Sequence, residues 1–315
     1  MAVGLVGAAC GSGPSPGGAS QKTADVAYAG SLELLNEKTI GPAFTKATGY
    51  GYEGRGGGSF GVAQEIVSKE ISPDVFESIG AAPIALLEPK FTSWCVEVAA
   101  SPIVVAYNPD SPFASQLREI AIGRLPLPRL FSLMAQPGFH LGRTNPNTDP
   151  QGQAFYEMVE LAQTHYHLAT DTTSKVLGSL DNPSQVFAET ALEARLEAGQ
   201  LDAASAFLSQ AIQLHLPYIK LPSGIDFGDP SLASMYAKAS VTLSDGKVAD
   251  GVPLIVDATV LSGNGPAAGA SFVSYLLSPA GRNEFVKGGY SLVTPKILGD
   301  ASAAPKVVRD AVASA

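Results

Sequence analysis

Short apolar runs alternate along the chain with segments whose apolar residues recur at helical spacing. Runs rich in β-branched and aromatic residues predict strands at DVAYAG, YGYEG, PDVFES, SPIVVAY, FHLGR, AASAFL, PYIKLP and VPLIVDATVL. Helical periodicity predicts helices over 32–47, 60–70, 151–166, 185–199 and 266–277. The alternation, with mostly short connections, predicts an α/β fold built on a mainly parallel sheet.

Length and charge narrow the class of protein. At 315 residues and 45% hydrophobic content, the chain can bury a sizeable core and is expected to form two lobes or domains. Its net charge of −9, with no basic run, argues against a nucleic-acid partner and against binding to an anionic membrane surface. An anionic ligand would therefore have to be held by local dipoles.

The N-terminal segment has the pattern of a lipoprotein signal. MAVGLVGAAC is apolar and ends in small residues before Cys10, and a Gly/Ser/Pro stretch follows, so residues 1–22 are expected to be a lipobox and flexible tether. No Lys or Arg precedes the apolar stretch, which leaves a cytoplasmic N-terminus as the alternative. Acylation of Cys10 would leave Cys95 without an intramolecular disulfide partner.

Three predicted helix starts share the chemistry of an anion site. Ser31 precedes LELLNEKT, Ser59 follows Gly56–Gly58, and Asp149 with Pro150 opens QGQAFYEMVELAQ. Each is an ordinary helix cap by itself. The glycines, however, permit backbone N–H groups to converge on one point, and helix N-termini attract anions. Several such termini aimed at one point would make an anion site without Lys or Arg.

The same glycine run also matches two enzyme signatures. Gly57 to Gly61 fits G-x-S-x-G with Ser59 as a hydrolase nucleophile, although the four histidines are poorly placed for a triad. Gly56 to Gly61 fits G-x-G-x-x-G, and Asp74 and Glu77 lie at nearly the distance of a ribose contact. Both remain alternatives to an anion site.

Two further features are interpreted as structural. His165 and His167, at positions i and i+2, point away from each other on a helix, so they predict a partly exposed helix end rather than a metal pair. Trp94 is predicted to lie in the core.

Several ordered segments resemble the molybdate/tungstate-binding proteins of ABC importers, especially the tungstate-type branch. The resemblance covers about residues 25–295 and is carried by VAYAGSL, GGGSFGVAQEIVSKEISPDVFES, PKFTSWCVEVAASPIVVAYNPDSP, GRTNPNTDPQGQAFYEMVELA, LEAGQLDAASAF, YIKLP and YAKASVTLSDGKV. It implies a type II periplasmic-binding-protein fold, with two α/β lobes joined by two crossing strands. Lobe one would comprise 23–104 plus 256–315 and lobe two 105–255, with crossings near 104–107 and 253–258.

The resemblance also implies ligand-binding residues. Ser31 and Ser59, with Gly30 and Gly58 beside them, match the serines that bind the oxyanion through hydroxyl and backbone N–H groups. Asp149 matches a carboxylate that approaches the metal centre of the oxyanion. The backbone N–H of Gln151 would then donate to the ligand from lobe two.

One position departs from the tungstate-type pattern. Ala206 stands where those proteins carry a second metal-approaching glutamate, and Phe207 follows it, so a four- or five-coordinate ligand becomes the expectation. If Asp149 faces the ligand as a free carboxylate, it needs a neutralising partner. Arg55 and Arg143 are the nearest candidates in sequence.

The resemblance implies a monomeric extracytoplasmic solute-binding protein, lipid-anchored through Cys10, that delivers molybdate or tungstate to an ABC transporter permease. It implies no enzyme activity, no cofactor other than the ligand, and no nucleic-acid partner. Two alternatives remain open: a binding protein of the same fold for sulfate, phosphate or a small organic anion, and a lipid-anchored serine hydrolase that uses Ser59.

Overall fold

The computed structural model describes residues 23–262 and 266–315. Cys10 and the predicted tether lie outside the described residues. The strands are β1 (Thr23–Ala29), β2 (Gly51–Gly57), β3 (Val75–Ile79), β4 (Trp94–Ala100), β5 (Ile103–Tyr107), β6 (Leu141–Gly142), β7 (Ala203–Phe207), β8 (Tyr218–Lys220), β9 (Ser240–Thr242), β10 (Val248–Asp250), β11 (Ile255–Val260), β12 (Ser291–Leu292) and β13 (Ile297–Gly299).

Helices connect most of these strands. They are α1 (Glu33–Leu35), α2 (Gly41–Thr48), α3 (Ser59–Ser68), α4 (Ala81–Ala85), α5 (Ala114–Ala121), α6 (Pro128–Met134), α7 (Pro150–His165), α8 (Thr172–Leu177), α9 (Glu189–Glu197), α10 (Leu208–Gln213), α11 (Ala233–Tyr236), α12 (Pro266–Leu277), α13 (Pro279–Lys287) and α14 (Lys306–Ser314). Short 3₁₀ turns span Gly30–Leu32 and Pro230–Leu232, and Asn36–Ile40 is π-helical. No helix in this described part is long and apolar enough to cross a membrane.

The first sheet is mixed, which corrects the expectation of a mainly parallel one. Its strand order is β12-β4-β11-β3-β1-β2, and β13 also pairs with β4. β1 is parallel to β2 and β3, whereas β11 is antiparallel to both β3 and β4. The reason is that β11 belongs to a segment returning from the second sheet, so it enters this sheet in the opposite direction.

The second sheet is smaller and has the order β6-β7-β5-β8. β5 is antiparallel to β7 and β8, and β6 is parallel to β7. The chain leaves the first sheet after Ala100 and joins the second at Ile103, then returns to the first at Ile255. The lobe boundaries given above stay a prediction.

The predicted elements are largely confirmed, with differences at their ends. Each predicted strand has a counterpart, but the pattern missed β4, β9, β10, β12 and β13. Trp94 is buried in β4, as predicted. The helix predicted over 32–47 is broken into 3₁₀, α and π segments before α2. The one predicted over 185–199 shortens to α9, because Val186 instead forms a parallel bridge with Arg143.

The core places the carboxyl ends of β1 and β2 at one edge. α12 covers the first sheet, and its Phe272 packs edge-on against Phe44 and is stacked near Tyr52, with ring centroids 5.2 and 5.7 Å apart. Because parallel strands end at the same edge, the segments that follow β1 and β2 are brought together there. These segments contain Gly30 with Ser31 and Gly58 with Ser59.

Candidate functional site

A cavity of about 410 Å³ lies where segments from the two sheets meet. The first-sheet side contributes the turn after β1 and the glycines at the end of β2. The second-sheet side contributes the start of α7 and the start of α9. The lining residues include Gly30, Glu33, Gly56, Gly57, Gly58, Thr148, Asp149 and Glu189. Three of the six predicted ligand-binding positions, Gly30, Gly58 and Asp149, therefore share this cavity.

Ser31 lies in the 3₁₀ turn and does not cap a helix through its side chain. It is 4% exposed, and its hydroxyl has no hydrogen-bond partner within the described residues. It lines a smaller cavity of about 90 Å³, which shares Gly30 and Glu33 with the larger one. A buried hydroxyl without a partner is costly unless a ligand or water satisfies it.

Ser59 is the first residue of α3, and Gly58, not Ser59, occupies the cap position. The Ser59 hydroxyl accepts a hydrogen bond of 3.1 Å from the backbone N–H of Ile79. At the same helix start, the N–H groups of Phe60 and Gly61 donate to the carbonyl of Thr148, at 3.1 and 3.3 Å. The N-terminus of α3 therefore binds directly to the segment that precedes α7.

Asp149 is a true helix cap, as predicted, since its side chain accepts from the backbone N–H of Gln151 at 2.8 Å. The Gln151 N–H that was expected to reach a ligand bonds to this carboxylate in the structure. Burial raises the pKa of Asp149, although the hydrogen bond from Gln151 acts in the opposite direction. Asp149 is thus a desolvated carboxyl at the cavity wall.

A buried polar network supports this wall from the second sheet. The Gln151 side-chain N–H group donates to Glu189 and to Gln210, each at 3.0 Å. The side-chain oxygen of Gln151 accepts from the Ser205 hydroxyl at 2.7 Å. The Gln210 amide donates to Glu189 at 2.8 Å. Each amide is therefore held in a fixed orientation, which fixes Glu189 in turn.

Sequence reasoning missed Glu189. It is the first residue of α9 and 8% exposed, and its carboxylate lies against Gly30 across the cavity. Burial raises its pKa well above the ordinary value, and the charges of Asp149 and Glu193 raise it further. An acidic residue in the first turn of a helix is commonplace, so nothing in the sequence singled it out.

The two arginines suggested as partners of Asp149 are engaged elsewhere. Arg55 pairs with Glu65 at 2.8 Å on a largely exposed surface. Arg143 is fully buried and donates to the carbonyls of Ser179 and Leu180. The expectation that either neutralises Asp149 is therefore wrong.

Ala206 and Phe207 are both buried on β7, where they pack in the apolar core.

The enzyme alternatives gain no support from the geometry. Within residues 23–262 and 266–315, no hydrogen bond joins Ser59 to a histidine; His140, for example, contacts Asp202. Glu77 is buried in β3 and accepts from Asn36 at 2.7 Å, which leaves it inside the core rather than beside a nucleotide. His165 is exposed at the end of α7, as predicted. The described residues contain no cluster of His, Cys, Asp and Glu placed to hold a metal ion.

Comparisons with known proteins agree with this architecture. The putative ABC transporter molybdenum-binding protein of Haloferax volcanii is 31% identical over 77% of this chain and 73% of its own length. The molybdate/tungstate-binding protein WtpA of Pyrococcus abyssi is 28% identical over 67% of this chain and 66% of its own. The solved periplasmic molybdate-binding protein of Azotobacter vinelandii aligns with a TM-score of 0.55 at 18% identity, covering 85% of this chain and 98% of that one.

The solved structure supports the type II periplasmic-binding-protein fold expected from the resemblance. The family model for bacterial extracellular solute-binding proteins matches residues 24–291. The chain therefore belongs to the family of bacterial extracellular solute-binding proteins.

Proposed function

We propose that this protein captures a tetrahedral metal oxyanion, molybdate or tungstate, between its two lobes and delivers it to the permease of an ABC importer. The observation that carries the proposal is that Gly30, Gly58 and Asp149, from three separate segments and both sheets, line one cavity. Relatives with molybdate- or tungstate-binding names support the same ligand class. The protein acts by binding, without a chemical step on the ligand.

Ser31 is the principal donor of the proposed site. Its hydroxyl is buried and lacks a partner, so it is available to an oxyanion without breaking a bond within the protein. Ser59 and the start of α3 contribute from the same side and Asp149 from the other, where the Gln151 N–H acts by holding the Asp149 carboxylate in place. Asp149 approaches the metal centre of the oxyanion rather than its oxygen atoms. Binding from both sides favours the closed arrangement of the lobes.

Ser31→Ala is the sharpest test of the site. Losing one hydrogen bond to a charged ligand costs about 1.5–3 kcal/mol, or about 10- to 150-fold in affinity. Because the hydroxyl is buried and has no partner within the described residues, the free energy of unfolding without ligand should stay the same or rise. Calorimetric titration with molybdate and tungstate measures the first quantity, and urea unfolding the second. Ser68→Ala, at the exposed end of α3, is the matched control.

Ser59→Ala should reduce stability as well as affinity, since it removes the acceptor of the buried Ile79 N–H. Wild-type affinity in both the Ser31 and Ser59 variants would contradict the proposed site. A screen that includes sulfate and phosphate decides among oxyanions, because a ligand at 100 times its dissociation constant stabilises the fold by about 2.7 kcal/mol. Labelling of Ser59 by a fluorophosphonate probe would instead support the hydrolase alternative.

The proposal places the protein outside the cytoplasm, anchored by a lipid on Cys10 and acting as a monomer. The family supports an extracellular location. Metabolic labelling with a radioactive fatty acid should mark the wild-type protein and fail to mark Cys10→Ala. Equal labelling of both proteins would contradict the anchor while leaving the ligand proposal intact.

A further inference from the structure

The proposed anion cavity is acidic. Glu189 and Asp149 line it from the second-sheet side and Glu33 from the first, and Glu193 lines the smaller adjoining cavity. The charged groups that act on Glu189 are Asp149, Glu193 and Glu33, and all of them are acidic. A dianion placed beside several ionised carboxylates would be repelled, so some of this negative charge has to be neutralised when the ligand binds.

The two oxygens of Glu189 have different surroundings. Oε1 accepts hydrogen bonds from the amides of Gln151 and Gln210, at 3.0 and 2.8 Å. Oε2 is directed to the opposite wall, where it lies against Gly30. One oxygen is therefore occupied by donors of the second-sheet side, and the other faces the turn that carries Ser31. A proton on Oε2 would be aimed toward the space between the lobes.

The smaller adjoining cavity supplies a second observation that points to an anion. The hydroxyl of Ser31 is buried, has no partner within the described residues, and belongs to the smaller cavity together with Glu193 and Gln210. A buried donor without a partner suits an anion, and neutral carboxyl groups remove the charge that would oppose it.

We infer that Glu189 is an acid of the binding site: it carries a proton when the oxyanion is bound, donates a hydrogen bond from Oε2, and thereby links ligand capture to uptake of one proton. The inference rests on the proposed function and names a further residue for it. The proton comes from solvent and returns there when the ligand leaves. Burial already raises the pKa of this carboxyl in the protein without ligand. The bound anion raises it further, so a proton is taken up at pH values between the two pKa values.

The linkage has a definite sign. Because the bound anion favours the protonated carboxyl, affinity is highest below the pKa of Glu189 in the free protein. It falls as pH rises from that value to the higher pKa of Glu189 in the complex. One proton changes the dissociation constant by at most about tenfold per pH unit. Calorimetric titration with molybdate between about pH 6 and about pH 8.5, in two buffers with different ionisation enthalpies, gives both the affinity and the number of protons taken up.

Glu189→Gln is the diagnostic variant. Glutamine keeps an oxygen for the amides of Gln151 and Gln210 and presents a permanent N–H donor in place of the acid. Between the pKa values of free and bound Glu189, the wild type should take up at most about one proton per molybdate, whereas the variant should lack this uptake and show a flatter pH profile. Glu157→Gln is the control, since burial, together with the charges of Glu160 and Asp250, raises the pKa of Glu157 on α7 to about 8. The Glu157→Gln variant should take up as many protons per molybdate as the wild type.

The outcomes separate the inference from the proposed function. Molybdate binding by the wild type without proton uptake at any pH across the measured range overturns the inference and leaves the function standing. Undiminished proton uptake by Glu189→Gln assigns the proton to another group and also overturns it. Absence of binding to molybdate and tungstate at every pH overturns both the inference and the proposed function. Both are also overturned if a divalent cation alone stabilises the wild type but not Glu189→Gln. The wild-type proton count remains decisive if the variant fails to fold.

Discussion

Gly58→Ala should weaken ligand binding by holding the two sides of the cleft apart. A Cβ at this position would lie 2.7 Å from the carbonyl oxygen of Thr148 and 3.4 Å from Cβ of Asp149. Gly58 has φ −58° and ψ 130°, a conformation open to alanine, so the backbone itself tolerates the change. The added methyl group therefore acts through its contact with backbone across the cavity, which cannot move aside as a flexible side chain would.

The magnitude follows from the contacts that would be lost. Thr148 accepts from the N–H groups of Phe60 and Gly61, directly beside Gly58. If the carbonyl is displaced, both hydrogen bonds break, at about 0.5–1.5 kcal/mol each. Closing would then become less favourable by about 1–3 kcal/mol, which corresponds to a loss of about 5- to 150-fold in affinity.

Calorimetry with molybdate measures the affinity, and small-angle X-ray scattering with and without ligand measures closure. The matched control is Gly61→Ala, three residues further along, because a Cβ there meets no atom within 4 Å. That variant should bind as the wild type does. Equal affinity and equal compaction of Gly58→Ala and the wild type would refute the role assigned to the Thr148 contact.

Three other predictions concern stability and reactivity. Burial raises the pKa of Glu77 from 4.5 to about 8, so between these pH values the folded state holds a proton that the unfolded state releases. The free energy of unfolding should therefore fall as pH rises through this range, by at most about 1.4 kcal/mol per pH unit. Glu77→Gln should flatten this pH dependence, measured by urea unfolding at several pH values. An unchanged slope in that variant would contradict the assignment. Phe272→Ala should cost about 3–5 kcal/mol in urea unfolding, because the ring is fully buried against Phe44, whereas Val286→Ala, half exposed, should cost far less; equal losses would contradict this packing. In a Cys10→Ser background, Cys95 should react with a thiol reagent only on unfolding, since it is buried and burial raises its pKa. Rapid labelling of Cys95 in the native protein would contradict this burial.

The local features of the candidate site were predictable from sequence. Strand, glycine-containing turn and helix follow one another at Ser31 and Ser59, and the cap at Asp149 was predicted correctly. Such features depend on residues within one or two turns of each other, which is the range over which propensity and capping act. The caps expected at Ser31 and Ser59 were wrong in detail. The Ser59 hydroxyl makes a tertiary contact with Ile79, and the Ser31 hydroxyl has no partner within the described residues.

The sequence by itself determined the alternation of strands and helices, the acidic and otherwise unremarkable charge balance, and the segments on which the family resemblance depends. Only the tertiary structure decided that Glu189 faces Gly30 and that the Thr148 carbonyl accepts from the start of α3. It also decided that Arg143 donates to buried carbonyls and not to Asp149. These pairs are separated by tens of residues or more along the chain. Their contacts arise from the packing of two sheets around a shared cleft. Sequence patterns reflect interactions between residues close together in the chain, so they do not indicate which distant side chains come into contact.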